Sequence, residues 1–102
     1  MKSFCVVTLS LFSFISAELT HFERGLNFYD QRAEKSIGLK ADPSLIGRAI
    51  DEFRIAMKSP EKELDAGVFL LKCYYFKGKF VSQNDDEKKD IYSKGKVLGE
   101  KL

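Results

Sequence analysis

One histidine and two cysteines are all that this chain of 102 residues holds of those types, and the scarcity excludes much. A metal centre needs several His, Cys or carboxylate ligands converging on one point, and neither His21 nor Cys73 has a second ligand near it in sequence. No serine, histidine and acid occur in a recognisable catalytic setting, and the seven glycines follow no phosphate-loop spacing. The acidic knot Asp85-Asp86-Glu87 lacks the alternating oxygens and central glycine of a calcium loop, and reads instead as a helix-starting turn. Cys73 lies in an apolar stretch far from the histidine, which describes a buried small hydrophobe rather than a nucleophile. His21 falls on the polar side of its segment, a surface position. Neither enzymatic activity nor a cofactor or metal is expected.

A dominant charge of one sign is missing too. The 17 Lys and Arg nearly balance the 15 Asp and Glu, for a net charge of +2. Such balance gives no electrostatic case for a nucleic-acid partner or an anionic membrane. The lysines at 88, 89, 94, 96 and 101 are interleaved with acids, the pattern of a solvated face.

The longest apolar run sits at the start. "MKSFCVVTLSLFSFISA" has a lysine, an apolar stretch from Phe4 to Ile15, and small residues before Glu18. That is the layout of a secretory signal peptide over residues 1–17. It is short of the ~20 apolar residues a membrane span needs, and an uncleaved anchor is the alternative. Cleavage would leave residues 18–102 as one small secreted or periplasmic domain. Cys5 would go with the signal, so Cys73 would have no disulfide partner and the core alone would hold the fold.

Four helical segments can be read in that domain. The first spans Leu19 to Ser36, with Leu19, Phe22, Leu26, Tyr29 and Ala33 at spacings of three and four. The second opens on Asp42 as N-cap with Pro43 in the first helical position. It carries Ile46, Ala49, Ile50, Phe53, Ala56 and Met57 on one face, opposite Arg48, Asp51, Glu52, Arg54 and Lys58. "SPEKELD" repeats the start signal with Ser59 as cap and Pro60 first, and leads into a third helix through "GVFLLKCYYFKGKF" that ends near Gly78. A rival reading makes "CYYF" and "KFVS" two strands. The last helix starts with Asn84 and Glu87 at capping-box spacing and places Ile91, Gly95, Leu98, Gly99 and Leu102 on one face. The expected fold class is all-α, two antiparallel helical hairpins in series.

Two helix pairs invite a search for a repeat. Ala49, Phe53 and Ala56 are followed by Leu70, Tyr74, Gly78 and Phe80, with Pro60 between the two groups. This combination resembles the junction between two units of the tetratricopeptide (TPR) family. The resemblance implies that the two alanines let helices approach while Phe53 wedges between them. It implies an α-solenoid fragment that binds a protein or peptide partner. The match weakens outside the junction: the loop before Ala49 is too long, Leu71 stands where a small residue is preferred, and Gln83 and Glu87 replace members of the second alanine–aromatic set. "LLKCYYFKGKF" followed by "IYSKGKVLGEKL" is also similar to the T component of TRAP transporters, exported TPR-like proteins. That likeness implies a periplasmic solute-binding accessory of a transport system, with a small organic acid as ligand.

On a helical wheel Asp65, Val68, Lys72, Tyr75 and Phe76 share one side of the third helix, while Leu70, Leu71 and Tyr74 point toward the core. The TPR resemblance places the first set on the concave groove. Lys72 between Tyr75 and Phe76 would bind an apolar peptide with a carboxylate, or a small acid. The facing side of the first helix, Thr20, Glu23, Asn27, Asp30 and Gln31, is polar. The alternative is that Tyr75 and Phe76 merely pack on the first helix while Lys72 reaches out to solvent. Stacked repeats usually need at least three units to bury their ends, and no helix follows to cover Leu98 and Leu102. Self-association through the uncapped last helix is expected, or else the chain is a fragment of a longer repeat protein.

Overall fold

Helices begin where a short polar side chain can take up an orphaned backbone N–H. The computed structural model describes residues 19–102, which form α1 (His21–Asp30), α2 (Pro43–Ala56), α3 (Glu63–Phe80) and α4 (Asp85–Lys101), and no strand. The signal-peptide reading of residues 1–17 lies outside the described residues. Thr20 closes a capping box on α1: its hydroxyl accepts from the Glu23 N–H at 3.1 Å, and the Glu23 carboxylate accepts from the Thr20 N–H at 3.1 Å. Asp42 caps α2 by accepting from the Ser44 N–H at 2.7 Å. Asn84 caps α4 by accepting from the Glu87 N–H at 2.9 Å. Glu87 does not close the box on Asn84; its carboxylate accepts from the N–H of Gln83, one residue earlier.

These bonds favour the charged carboxylates. Backbone and side-chain hydrogen bonds from Thr20 hold the Glu23 pKa below its ordinary value, and those from the Ser44 side chain and backbone do the same for Asp42.

α3 starts differently from the expectation. It begins at Glu63 with Lys62 in the cap position and no side-chain cap. Ser59 instead offers its carbonyl to the Lys62 N–H at 3.0 Å, closing a turn. Residues 58 to 65 are all exposed, so nothing apolar anchors an earlier helical turn, and proline and serine alone do not nucleate one. The end of α1 is likewise earlier than its periodicity implies. Tyr29 is the last residue of the stripe to pack, whereas Ala33 is exposed. Residues 31–35 fall into successive turns, with the Arg32 N–H on Tyr29 O and the Glu34 N–H on Gln31 O. The rival strand reading fails outright, because Cys73 to Phe80 is the C-terminal half of α3.

Each helix packs on the next. His21 and Phe28 of α1 meet Glu52 and Arg48 of α2. Arg54 of α2 reaches Tyr74 of α3, while Ala41, just before α2, donates its N–H to Phe80 O at 2.9 Å. Tyr92 of α4 lies against Gly78, and Leu102 against Gly67. The core is aromatic at its centre. Phe53 is fully buried, with its ring 5.8 Å from Phe22 and 5.5 Å from Phe69. Ala49 and Ala56 are buried on either side of it, and Gly25 lets α1 close on the Phe53 ring. Leu70, Cys73, Tyr74 and Ile91 continue the core toward α4. Leu98 is half-buried against it, and Leu102 keeps 41% of its surface in solvent.

Candidate functional site

A helix that contacts all three others has few side chains left for solvent. On one side of α3, Leu71, Lys72, Tyr75 and Phe76 line a cleft of about 370 Å³, closed by Tyr29 and Arg32 from the other wall and by Phe80 at the end. Three of the expected residues, Lys72, Tyr75 and Phe76, therefore meet in one hollow. Asp65 and Val68 belong to the same helix but do not line it. Leu71 does not point away as the wheel implied. It lines the cleft while its far end touches Gly95 and Gly99 of α4.

The internal geometry of the cleft differs from the simplest reading of the wheel. The Lys72 ammonium is not between Tyr75 and Phe76; it stands 4.5 Å from the ring centre of Phe69, where the negative face of the ring attracts it. Tyr75 is 58% exposed and stacks on Tyr92 of α4 at 6.4 Å rather than packing on α1. Phe76 is buried, tilted against Phe80 at 4.9 Å, and forms the apolar wall.

The cation placed over that wall is Arg32. Its guanidinium lies 4.0 Å from the centre of the Tyr29 ring and 5.3 Å from that of Phe76, and Nη1 donates to Tyr29 O at 2.9 Å. A wheel drawn through to Ser36 puts Thr20, Glu23, Asn27, Asp30 and Gln31 opposite α3. Arg32 lies in the turn after α1, with its guanidinium over Tyr29. Arg32, Tyr29, Leu71 and Phe80 are thus the cleft residues that the sequence did not disclose. The signal that could have found Arg32 is its spacing of three from Tyr29, as in a cation–aromatic pair on one turn.

The two residue types that carry most enzyme chemistry are engaged elsewhere. His21 Nδ1 lies 2.6 Å from Glu52 Oε2 and ties α1 to α2. Cys73 is fully buried, and burial pushes its thiol up to about 12 against a smaller opposing pull from Arg32. Among the described residues there is no cluster of metal-ligating side chains, and no helix is long and apolar enough to cross a membrane. Comparisons with protein-family models, with curated proteins and with solved structures find no match to this chain.

Proposed function

We propose that the chain is an exported, TPR-like interaction module of two antiparallel helical hairpins that binds a protein or peptide partner and performs no catalysis. Support for the repeat reading comes from the junction residues: Ala49, Phe53 and Ala56 are buried together, and Leu70 and Tyr74 join them from the next helix. The observation that carries the binding reading is the pair of cations at the cleft. Arg32 and Lys72 each rest on an aromatic face beside the exposed Tyr75 and the Phe76 wall. Among the described residues neither cation is in an ion pair. An apolar side chain with a carboxylate next to it would bury the first against Phe76 and give the second to the cations.

Calorimetric titration with a short peptide ending in phenylalanine tests this. The free-acid form is expected to bind, and Arg32→Ala or Lys72→Ala to weaken it by about tenfold, the ~1.4 kcal/mol of one charge-assisted contact. Equal affinity for the C-terminally amidated peptide, or for either variant, overturns the assignment. N-terminal sequencing of the exported chain is expected to begin at Glu18.

The same cleft favours a second reading, an accessory of a TRAP-type transport system holding a small organic acid. Its volume of about 370 Å³ lies in the range of small-ligand sites. Native mass spectrometry after gentle purification would show a retained acid under that reading, and an empty protein counts against it. Self-association is proposed through the exposed side of the α3–α4 pair, where Leu64, Tyr75, Tyr92 and Leu102 are spread along the two helices.

A further inference from the structure

α2 and α4 both pack on α3, and a second groove runs between them. Leu70, Tyr74 and Lys77 face it from α3, about half a helical turn around from Lys72, Tyr75 and Phe76. It consists of two adjoining hollows of about 430 and 260 Å³ that share Arg54, Tyr74 and Lys94. Together they follow α4 from Ile91 to Lys101, a distance of ~15 Å at the helical rise. Leu70, Tyr74 and Val97 make the floor apolar, and Val97 is 55% exposed there.

The rim carries more cations than acids. Arg54 stands on the α2 side and Lys94 and Lys101 on the α4 side, with Lys77 at one end. The acids among them are Asp51 and Asp90. Asp90 meets Lys94 at 3.4 Å, but both are well exposed and such a pair is weak and readily exchanged. Arg54 spends one N–H on the Tyr74 hydroxyl at 3.0 Å and keeps the rest of its fork for another acceptor. Gly47 lies at the open end, where a Cβ would meet nothing within 4 Å.

We propose that this groove docks an acidic amphipathic helix of a partner protein, on a face separate from the peptide cleft. The groove's length matches about three helical turns, with the apolar contact at Leu70, Tyr74, Val97 and Leu98 in the larger hollow. Cations on both sides match carboxylates flanking an apolar stripe at i, i+3 and i+7. A compact small acid would satisfy one wall and leave the length unused.

The probe is a synthetic peptide with leucine every three or four positions and glutamate on both flanks, titrated into the ¹⁵N-labelled full-length chain. Amide shifts are expected along Ile91–Lys101 and at Arg54 and Tyr74. Affinity should fall tenfold or more in Lys94→Glu/Lys101→Glu, and should fall with added salt. Both lysines are exposed, so the variant should fold as the parent does. The charge-matched Lys88→Glu/Lys96→Glu, off the groove, should bind as the parent. The proposal is overturned by no binding, by equal affinity in the first variant, or by equal binding of a lysine-flanked twin peptide. Shifts confined to Tyr29 and Phe76 would overturn it too, as would a dimer of the chain that Lys94→Glu/Lys101→Glu dissolves.

Discussion

At the scale of single residues, two glycines separate close approach from open space. A Cβ on Gly25 would stand 2.6 to 2.9 Å from three ring atoms of Phe53. Phe53 cannot step aside, since it is fully buried between Phe22 and Phe69. Gly25→Ala should therefore destabilise by ~1–3 kcal/mol, the cost of overpacking, and outweigh the ~1 kcal/mol that alanine gains in a helix. Gly47, inside α2, has nothing within 4 Å of the same atom. Gly47→Ala should stabilise by up to ~1 kcal/mol and raise the melting temperature by roughly 4–8 °C. Melting curves of the two variants, moving in opposite directions, check the pair. Cys73 gives a pH-dependent companion. Its thiol titrates near 9.0 when the chain is unfolded and at about 12 in the fold. Between those values the unfolded chain loses a proton that the folded chain keeps, so stability falls as pH rises, by at most ~1.4 kcal/mol per pH unit. Subtracting the melting profile of Cys73→Ala should isolate that slope above pH 9, and identical slopes would remove it.

At the scale of elements, the starts of α2 and α4 are held by side chains that titrate or can be deleted. Asp42 has a lowered pKa, so its cap is fully present above the ordinary carboxylate range and is lost as pH falls through the lowered value. Asp42→Asn keeps the cap without the titration, and should flatten the acid limb of a circular-dichroism titration. Asn84→Ala removes the α4 cap outright and should cost ~1 kcal/mol. The same elements show what the sequence discloses. α2 was legible because Asp42, Pro43 and the buried stripe Ile46, Ala49, Ile50, Phe53 and Ala56 all point to one boundary and one face. The start of α3 was not, because Ser59-Pro60 has the chemistry of a cap without apolar neighbours to hold a turn there. Nor was the end of α1, where a spacing of four at Ala33 continues a stripe that no longer touches anything. Lys72, Tyr75 and Phe76 could be placed from α3 alone, whereas Arg32 comes to the cleft from the other wall, through its contact with Tyr29.

At the scale of the whole molecule, the described chain ends on a half-covered surface. Leu102 folds back toward Gly67, yet Leu64 near it, and Tyr75 and Tyr92 farther along the same two helices, remain exposed. An isologous dimer would cover all of them at once. Sedimentation should then depend on concentration, and Leu64→Lys, at a residue 60% exposed, should leave a monomer that melts as the parent does at high dilution. A parent chain that sediments as a monomer throughout, and binds no apolar dye, would overturn self-association.

The loop between α1 and α2 is fastened to the junction of α3 and α4. Ala41 gives its N–H to Phe80 O, and Lys40 gives its ammonium to Ser82 O at 2.8 Å, across 42 residues of chain. The Ala41 bond is the only backbone hydrogen bond among the described residues that joins segments so far apart in sequence. Stacked helices that touch only their neighbours melt like a row of independent links, fraying inward from the ends. A clasp between the two connections works against that. Opening either helix pair pulls on the loop that holds the other, so the links share one unfolding event and amides in α1 and α4 should exchange with solvent at similar free energies.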